Sequence, residues 1–297
     1  MSHKSRIITV LLAAGFCFLS STYAFSTIAG PIESRVAKLD GHTVHYENYG
    51  KGPEALVFVH GWTCNSSFWS RQIPGFTART RVIAIDLPGH GKSDKPKTDY
   101  TMDLFARAVD AVLRDAGVER AVLVGHSMGT PVIREFYRKY PGKTLALVIV
   151  DGPLVPFGDK KMMEQFLAPL RGPGYQEAAS KFVDNMFGQN TTPELRNEIK
   201  TAMLATPQFV ALSAMEGMMD EAIWKQDKID VPALAIMAKT PFLPANNEQI
   251  YRGIAPNIDY RVWDGVAHFL MIEKPKEFND TLAGFLTKNA LFKEVKR

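Results

Sequence analysis

The sequence predicts an α/β domain: a mostly parallel sheet with helices on both faces, broken once by a helical insertion. Three observations predict it. Short apolar, β-branched runs alternate with segments of helical periodicity, the pattern of a parallel sheet buried on both faces. One run, residues 121–124, stops at Gly125-His126-Ser127-Met128-Gly129 and passes directly into a helical pattern. From about residue 156 to 228 the strand signals vanish and helical, Met-rich segments replace them.

Residues 35–47 read as a hairpin turning at Asp40-Gly41. Residues 55–59 and 81–85 are apolar strands, the second leading into the glycine-rich loop from Asp86 to Asp94. Residues 102–116 carry helical periodicity that Gly117 ends. After the strand at 121–124 come a helix over 128–140 and a strand over 145–150. Beyond the insertion the alternation resumes with a strand at 232–238, a helix at 247–254, a strand at 260–263, a loop holding His268 and a helix from Pro275.

The chain has 297 residues, 46% hydrophobic and 22% charged, enough for one large domain without disulfides. Lys4 and Arg6 precede an apolar run at 7–19 and a small, polar stretch at 20–30, the layout of a secretory signal peptide. Cleavage fits after Ala24 or Ala29; an uncleaved anchor is the alternative, with an apolar run short for a span. The expected organisation is therefore a signal at 1–29, a core at 30–155 and 229–297, and a helical cap at 156–228. The protein is expected to be exported, with no stable membrane insertion after cleavage. Losing Lys4 and Arg6 leaves 33 basic against 31 acidic residues. With no basic stripe carrying interleaved aromatics, nucleic acid is not an expected partner. Cys64 would be the one cysteine left, and no Cys/His cluster has metal spacing.

Ser127 occupies the centre of Gly-x-Ser-x-Gly in the strand–turn–helix context of a nucleophile elbow. A serine hydroxyl is a weak nucleophile without an adjacent base. His268 is the one histidine downstream of it, and imidazole suits both removal and return of a proton. His60-Gly61-Trp62 follows the strand at 55–59. Its turn can present the Trp62 N–H beside that of Met128 as an oxyanion hole. The Trp62 side chain either lines the substrate pocket or packs in the core. Phe157, Phe242 and Phe269 are further pocket candidates, and the methionines of the cap suit an apolar group or simply fill its interior. Asn65-Ser-Ser67 and Asn190-Thr-Thr192 match the glycosylation acceptor, the first too close to the expected oxyanion loop to carry a glycan.

His60-Gly-Trp62, the Asp86–Asp94 loop, Gly125-His-Ser-Met-Gly129 and Gly265-Val-Ala-His268 with Glu273-Lys-Pro275, in that order, resemble the α/β-hydrolase superfamily. Within it they are most similar to single-domain serine esterases and cofactor-free haloperoxidases. The resemblance implies an eight-stranded, mostly parallel sheet with a helical cap. It also implies Ser-His hydrolysis of a small or medium apolar ester through an acyl-enzyme, with neither metal nor organic cofactor. The same site on a lactone, a carbon–carbon bond next to a ketone or a peracid is the near alternative; a non-catalytic ligand-binding member is the distant one. In that family His90, Ser93 and Asp94 are architectural.

The sequence departs from the family at the acid. The usual aspartate after the seventh strand is replaced by Thr240, which cannot stabilise an imidazolium. Asp151, at the end of the strand over 145–150, is the best replacement. Asp264 is the second candidate, and Glu273 and Asn246 are poorer.

Overall fold

The computed structural model describes residues 32–292 except Phe157 and Asp159. The expected signal segment and the pocket candidate Phe157 lie outside the described residues. Eight strands form one sheet: β1 (Ile32–Leu39), β2 (His42–Tyr49), β3 (Glu54–Val59), β4 (Arg81–Ile85), β5 (Arg120–His126), β6 (Thr144–Val150), β7 (Ala233–Ala238) and β8 (Asp259–Trp263). Their spatial order is β1-β2-β4-β3-β5-β6-β7-β8. β2 runs antiparallel to both neighbours, and every other pairing is parallel. The β1–β2 hairpin turns at Asp40 and Gly41, both at positive φ (50° and 83°), the pairing a type I′ turn requires.

Side chains along a strand alternate between the two faces, so a strand buried at every position has both faces covered. Every residue of β4 and β7 is buried, as is nearly all of β3, β5 and β6. The sheet edges are less covered, with Ile32 and Val36 on β1 and Val262 on β8 exposed. Register places Val59 beside Gly125, His126 beside Val150, and Val150 beside Ile236. The loops after β3, β5, β6 and β7 therefore leave from one edge, where open α/β sheets build their sites.

The helices are α1 (Ile73–Phe76), α2 (Met102–Ala116), α3 (Gly129–Lys139), α4 (Lys160–Arg171), α5 (Tyr175–Asp184), α6 (Pro193–Leu204), α7 (Gln208–Met219), α8 (Asn247–Ile254), α9 (Leu270–Glu273) and α10 (Pro275–Lys288). The Thr101 side chain caps α2 by accepting from Leu104 N–H, and Gly117 closes it in the left-handed conformation. The one-turn helices α1 and α9 are absent from the sequence reading, because four residues are too few to show a period.

Helices α4–α7 lie between β6 and β7. Arg134 on α3, with its side chain only 1% exposed, holds both ends of that stretch. Its guanidinium donates to Leu154 C=O, where the chain departs, and to Lys225 C=O and Asp227, where it returns. Arg138, one turn on, adds Ile223 C=O and Asp227. α7 docks on the loop after β3 through Trp62 Nε1–H to Ala211 C=O (2.8 Å), and the hydroxyl of Thr206 donates to Thr63 C=O (3.1 Å). Met203, Met215 and Met218 are buried within this layer, whereas Met162 is exposed.

Candidate active site

Ser127 sits between the end of β5 and the start of α3 at φ 52°, a left-handed conformation that a residue with a Cβ adopts at a cost of about 1–2 kcal/mol. The turn is locked from all sides. Ser127 N–H donates to Val150 C=O (2.9 Å), and Ser127 C=O accepts from Thr130 N–H (2.9 Å). A Cβ on Gly125 would stand 2.4 Å from Gly129 O, and one on Gly129 would stand 2.5 Å from Val59 O. Strand and helix can approach this closely only because both positions are glycine.

β3 delivers the second part. A Cβ on Gly61 would lie 3.1 Å from Ser127 Cβ and 3.0 Å from His126 Nδ1, so the His60-Gly61-Trp62 turn rests directly on the elbow. Among the described residues neither the Trp62 N–H nor the Met128 N–H has a hydrogen-bond acceptor. The Trp62 ring is buried. It meets Phe182 edge-on at 5.3 Å and holds α7, which makes it a packing anchor between the sheet and the inserted helices.

β6 delivers the third part. Asp151 follows its last residue at φ 41°. Asp151 Oδ2 accepts from His268 Nδ1–H at 2.7 Å, and Oδ1 accepts from Ala238 N–H at 2.8 Å. The end of β7, where the usual acid is missing, thus still orients the carboxylate through its backbone. Gly152 lets the chain turn away, since a Cβ there would stand 2.1 Å from Thr130 Oγ1 and 2.6 Å from Ser127 O. With its proton on Nδ1, His268 keeps Nε2 free as a base. Ser127, Asp151 and His268 are all partly exposed, and the Ser127 hydroxyl makes no hydrogen bond to a described residue.

The other acid candidates point elsewhere. Asp264 pairs with Lys239 (2.8 Å) on the surface. Thr240 and Asn246 sit in turns before α8. Glu273 accepts from Ala267 N–H and from the Thr191 hydroxyl, each at 2.7 Å. The pocket candidates need correction: Phe242 is 87% exposed, so nothing closes around it. Phe269 is fully buried, its ring centroid 5.3 Å from that of His268 and 5.4 Å from that of His126. It supports the histidines from beneath.

Of the buried histidines behind the site, the sequence reading assigned His90 an architectural role and His126 none beyond its place in the elbow. His126 Nε2–H donates to His268 C=O (2.8 Å), and their ring centroids are 4.7 Å apart. Burial, reinforced by His268 nearby, holds the His126 pKa well below its ordinary value. His60 donates from Nδ1 to Gly61 C=O and accepts Leu87 N–H at Nε2. Burial lowers its pKa too. His90, 5.0 Å from His60 between ring centroids, is pushed down to about 3, by burial first and His60 second. Asp86 at the head of the glycine-rich loop is also buried. Burial alone would raise its pKa, but hydrogen bonds from His45, Lys92 N–H and Ser66 N–H together outweigh burial and lower it. Ser93 and Asp94 tie the same loop to β2 through His45 N–H and Thr43 N–H, the architectural role expected of them. A histidine's period and spacing say nothing about which backbone carbonyl its ring reaches, so His126 gave no signal beyond its place in the elbow.

The family model described as the α/β hydrolase fold matches residues 54–275. The chain belongs to that family. It is 32% identical to a 2-hydroxy-6-oxononadienedioate/2-hydroxy-6-oxononatrienedioate hydrolase of Paraburkholderia phymatum, over 84% of this chain and 93% of that one. A solved N-acyl homoserine lactone degrading enzyme superposes with a TM-score of 0.73 at 26% identity, covering 84% of this chain and all of that one. A bromoperoxidase from Bacillus anthracis gives 0.77 at 23% identity, covering 86% of this chain and all of that one, a likeness of fold.

Proposed function

We propose that this hydrolase cleaves small or medium apolar carboxylic esters by a serine mechanism. Ser127 attacks the carbonyl as His268 Nε2 takes its proton. Asp151 holds His268 in the tautomer that keeps Nε2 free and stabilises the imidazolium that forms. The N–H groups of Trp62 and Met128 receive the oxyanion; each such donor lowers the barrier by about 2.7–4 kcal/mol in comparable sites. His268 returns its proton to the leaving alcohol, then activates water to release the acyl group. The Ser127–His268 hydrogen bond forms as substrate closes the site, as such contacts often do. The observation that carries the reading is the Asp151–His268 hydrogen bond, made on the same sheet edge as the strained Ser127. We further propose export through residues 1–29 and a cap role for the segment at 156–228.

The test is hydrolysis of p-nitrophenyl butyrate. Ser127→Ala is expected to abolish turnover, and Asp151→Asn to lower kcat by about 10⁴-fold. An Asp151→Asn variant near wild type would remove Asp151 from the mechanism. A wild type no faster than Ser127→Ala would remove the esterase reading. The 32% identity to a dienedioate hydrolase favours a second reading, the same residues cleaving a carbon–carbon bond next to a ketone. Turnover of a 2-hydroxy-6-oxo-dienoate with no ester hydrolysis would select it.

A further inference from the structure

Glu273 ends α9, the single helical turn that follows His268, and the inserted helices reach it from the other side. Its Oε2 accepts from Ala267 N–H, the peptide just before His268, at 2.7 Å. Its Oε1 accepts from the buried Thr191 hydroxyl at 2.7 Å. Thr191 belongs to the loop between α5 and α6, and that whole loop docks on the histidine loop. His268 N–H donates to Met186 C=O (3.3 Å), and Asn190 Nδ2–H donates to Gly265 C=O (3.3 Å). A Cβ on Gly188 would touch Ala267 Cβ at 3.1 Å. Arg196 stiffens the loop by donating to Gly188 C=O and Thr191 C=O, with its guanidinium 5.2 Å from the Phe187 ring centroid. Phe187 in turn packs against Phe269 under the histidines, with ring centroids 5.9 Å apart.

The backbone of His268 is therefore fixed at three points besides its side chain: His126 on its carbonyl, Met186 on its amide, and Glu273 on the amide before it. Two of the three lead into the inserted helices. An imidazole that must accept a proton from one fixed oxygen and deliver it to another tolerates little displacement; an error of about 1 Å can cost about 100-fold in rate.

From this we infer that Glu273 and Thr191 are positioning residues: their hydrogen bond clamps the α5–α6 loop onto the loop of His268 and sets the imidazole in its working place. The inference rests on His268 being the base for Ser127. It also assigns Asn190 of the Asn-Thr-Thr triplet to this docking, because its amide is engaged with Gly265.

The test reads the base without a substrate pocket: the second-order rate at which a small fluorophosphonate labels Ser127. Wild type, Thr191→Val, Thr191→Ser, Glu273→Gln and the Thr191→Val/Glu273→Gln pair are compared well below each melting temperature. Thr191→Val and Glu273→Gln are expected to slow labelling roughly 10- to 100-fold. Thr191→Ser, which keeps the hydroxyl, is expected to label like wild type, and the double variant to be no slower than the slower single one. A purely structural role would lower melting temperatures and leave labelling of the folded protein unchanged, and that result overturns the inference. Should Glu273→Gln fail to fold, the Thr191→Val and Thr191→Ser pair decides alone. Wild type that labels while Thr191→Val keeps pace overturns the clamp and spares the serine reading. Wild type that does not label at Ser127 overturns both.

Discussion

Ser127 carries a backbone conformation that its own Cβ opposes, and hydrogen bonds to Val150 and Thr130 maintain it. Glycine has no such penalty at positive φ. Ser127→Gly is therefore expected to melt higher than Ser127→Ala, by about 1 kcal/mol of stability, while the proposed mechanism expects both to be inactive. Equal melting of the two would show that the elbow is unstrained. At this scale the sequence was informative where chemistry is tied to a motif. Gly-x-Ser-x-Gly announced the strained turn at Ser127, and chain order made His268 the candidate base. Asp151 was harder, because Asp-Gly-Pro also makes a good strand-ending turn; the 2.7 Å contact to His268 supports the proposed catalytic reading. Phe242 and Phe269 were misread because apolarity does not reveal direction: one ring faces solvent and the other lies under the histidines.

Among the elements, the central strands β3 to β7 were legible within a residue or two, since burial on both faces demands unbroken apolar runs. The helical insertion was visible as a loss of those runs. Its attachment was not, because side-chain hydrogen bonds from Arg134 and Arg138 on α3 anchor its ends, and these leave no pattern in the sequence. Burial lowers the Arg134 pKa to about 10, so the guanidinium remains a cation as it bridges Leu154, Lys225 and Asp227. Replacing it leaves the buried Leu154 C=O without its donor. Arg134→Met is expected to lose about 2–4 kcal/mol in urea unfolding and to expose residues 155–225 to trypsin before the sheet unfolds. Wild-type stability in that variant would assign the attachment to Trp62 and Thr206 instead.

For the whole molecule, the buried histidines set a pH limit. His60, His90 and His126 are kept neutral by burial, whereas in the unfolded chain each takes a proton below about pH 6.5. The unfolded state then binds more protons, so stability is complete above about pH 6.5 and falls as pH drops below it. Each of the three contributes up to about 1.4 kcal/mol per pH unit, and for His90 the loss continues toward pH 3. Asp86, with its lowered pKa, keeps its charge and its stabilisation across this window. Thermal melts are expected to hold level from pH 8 to 7 and to drop steeply from pH 6 to 5. A flat profile to pH 5 would mean that the folded protein accepts those protons.

The grip of Arg134 on Leu154 and Lys225 has a consequence for descent as well as for stability. The chain leaves the sheet and comes back to it at the same guanidinium, so the two ends of the excursion are neighbours. Whatever is spliced between them begins and ends at one place and leaves the strand order untouched. A lineage built this way can exchange the helices between β6 and β7 for others while the sheet and the turn of Ser127 are inherited whole.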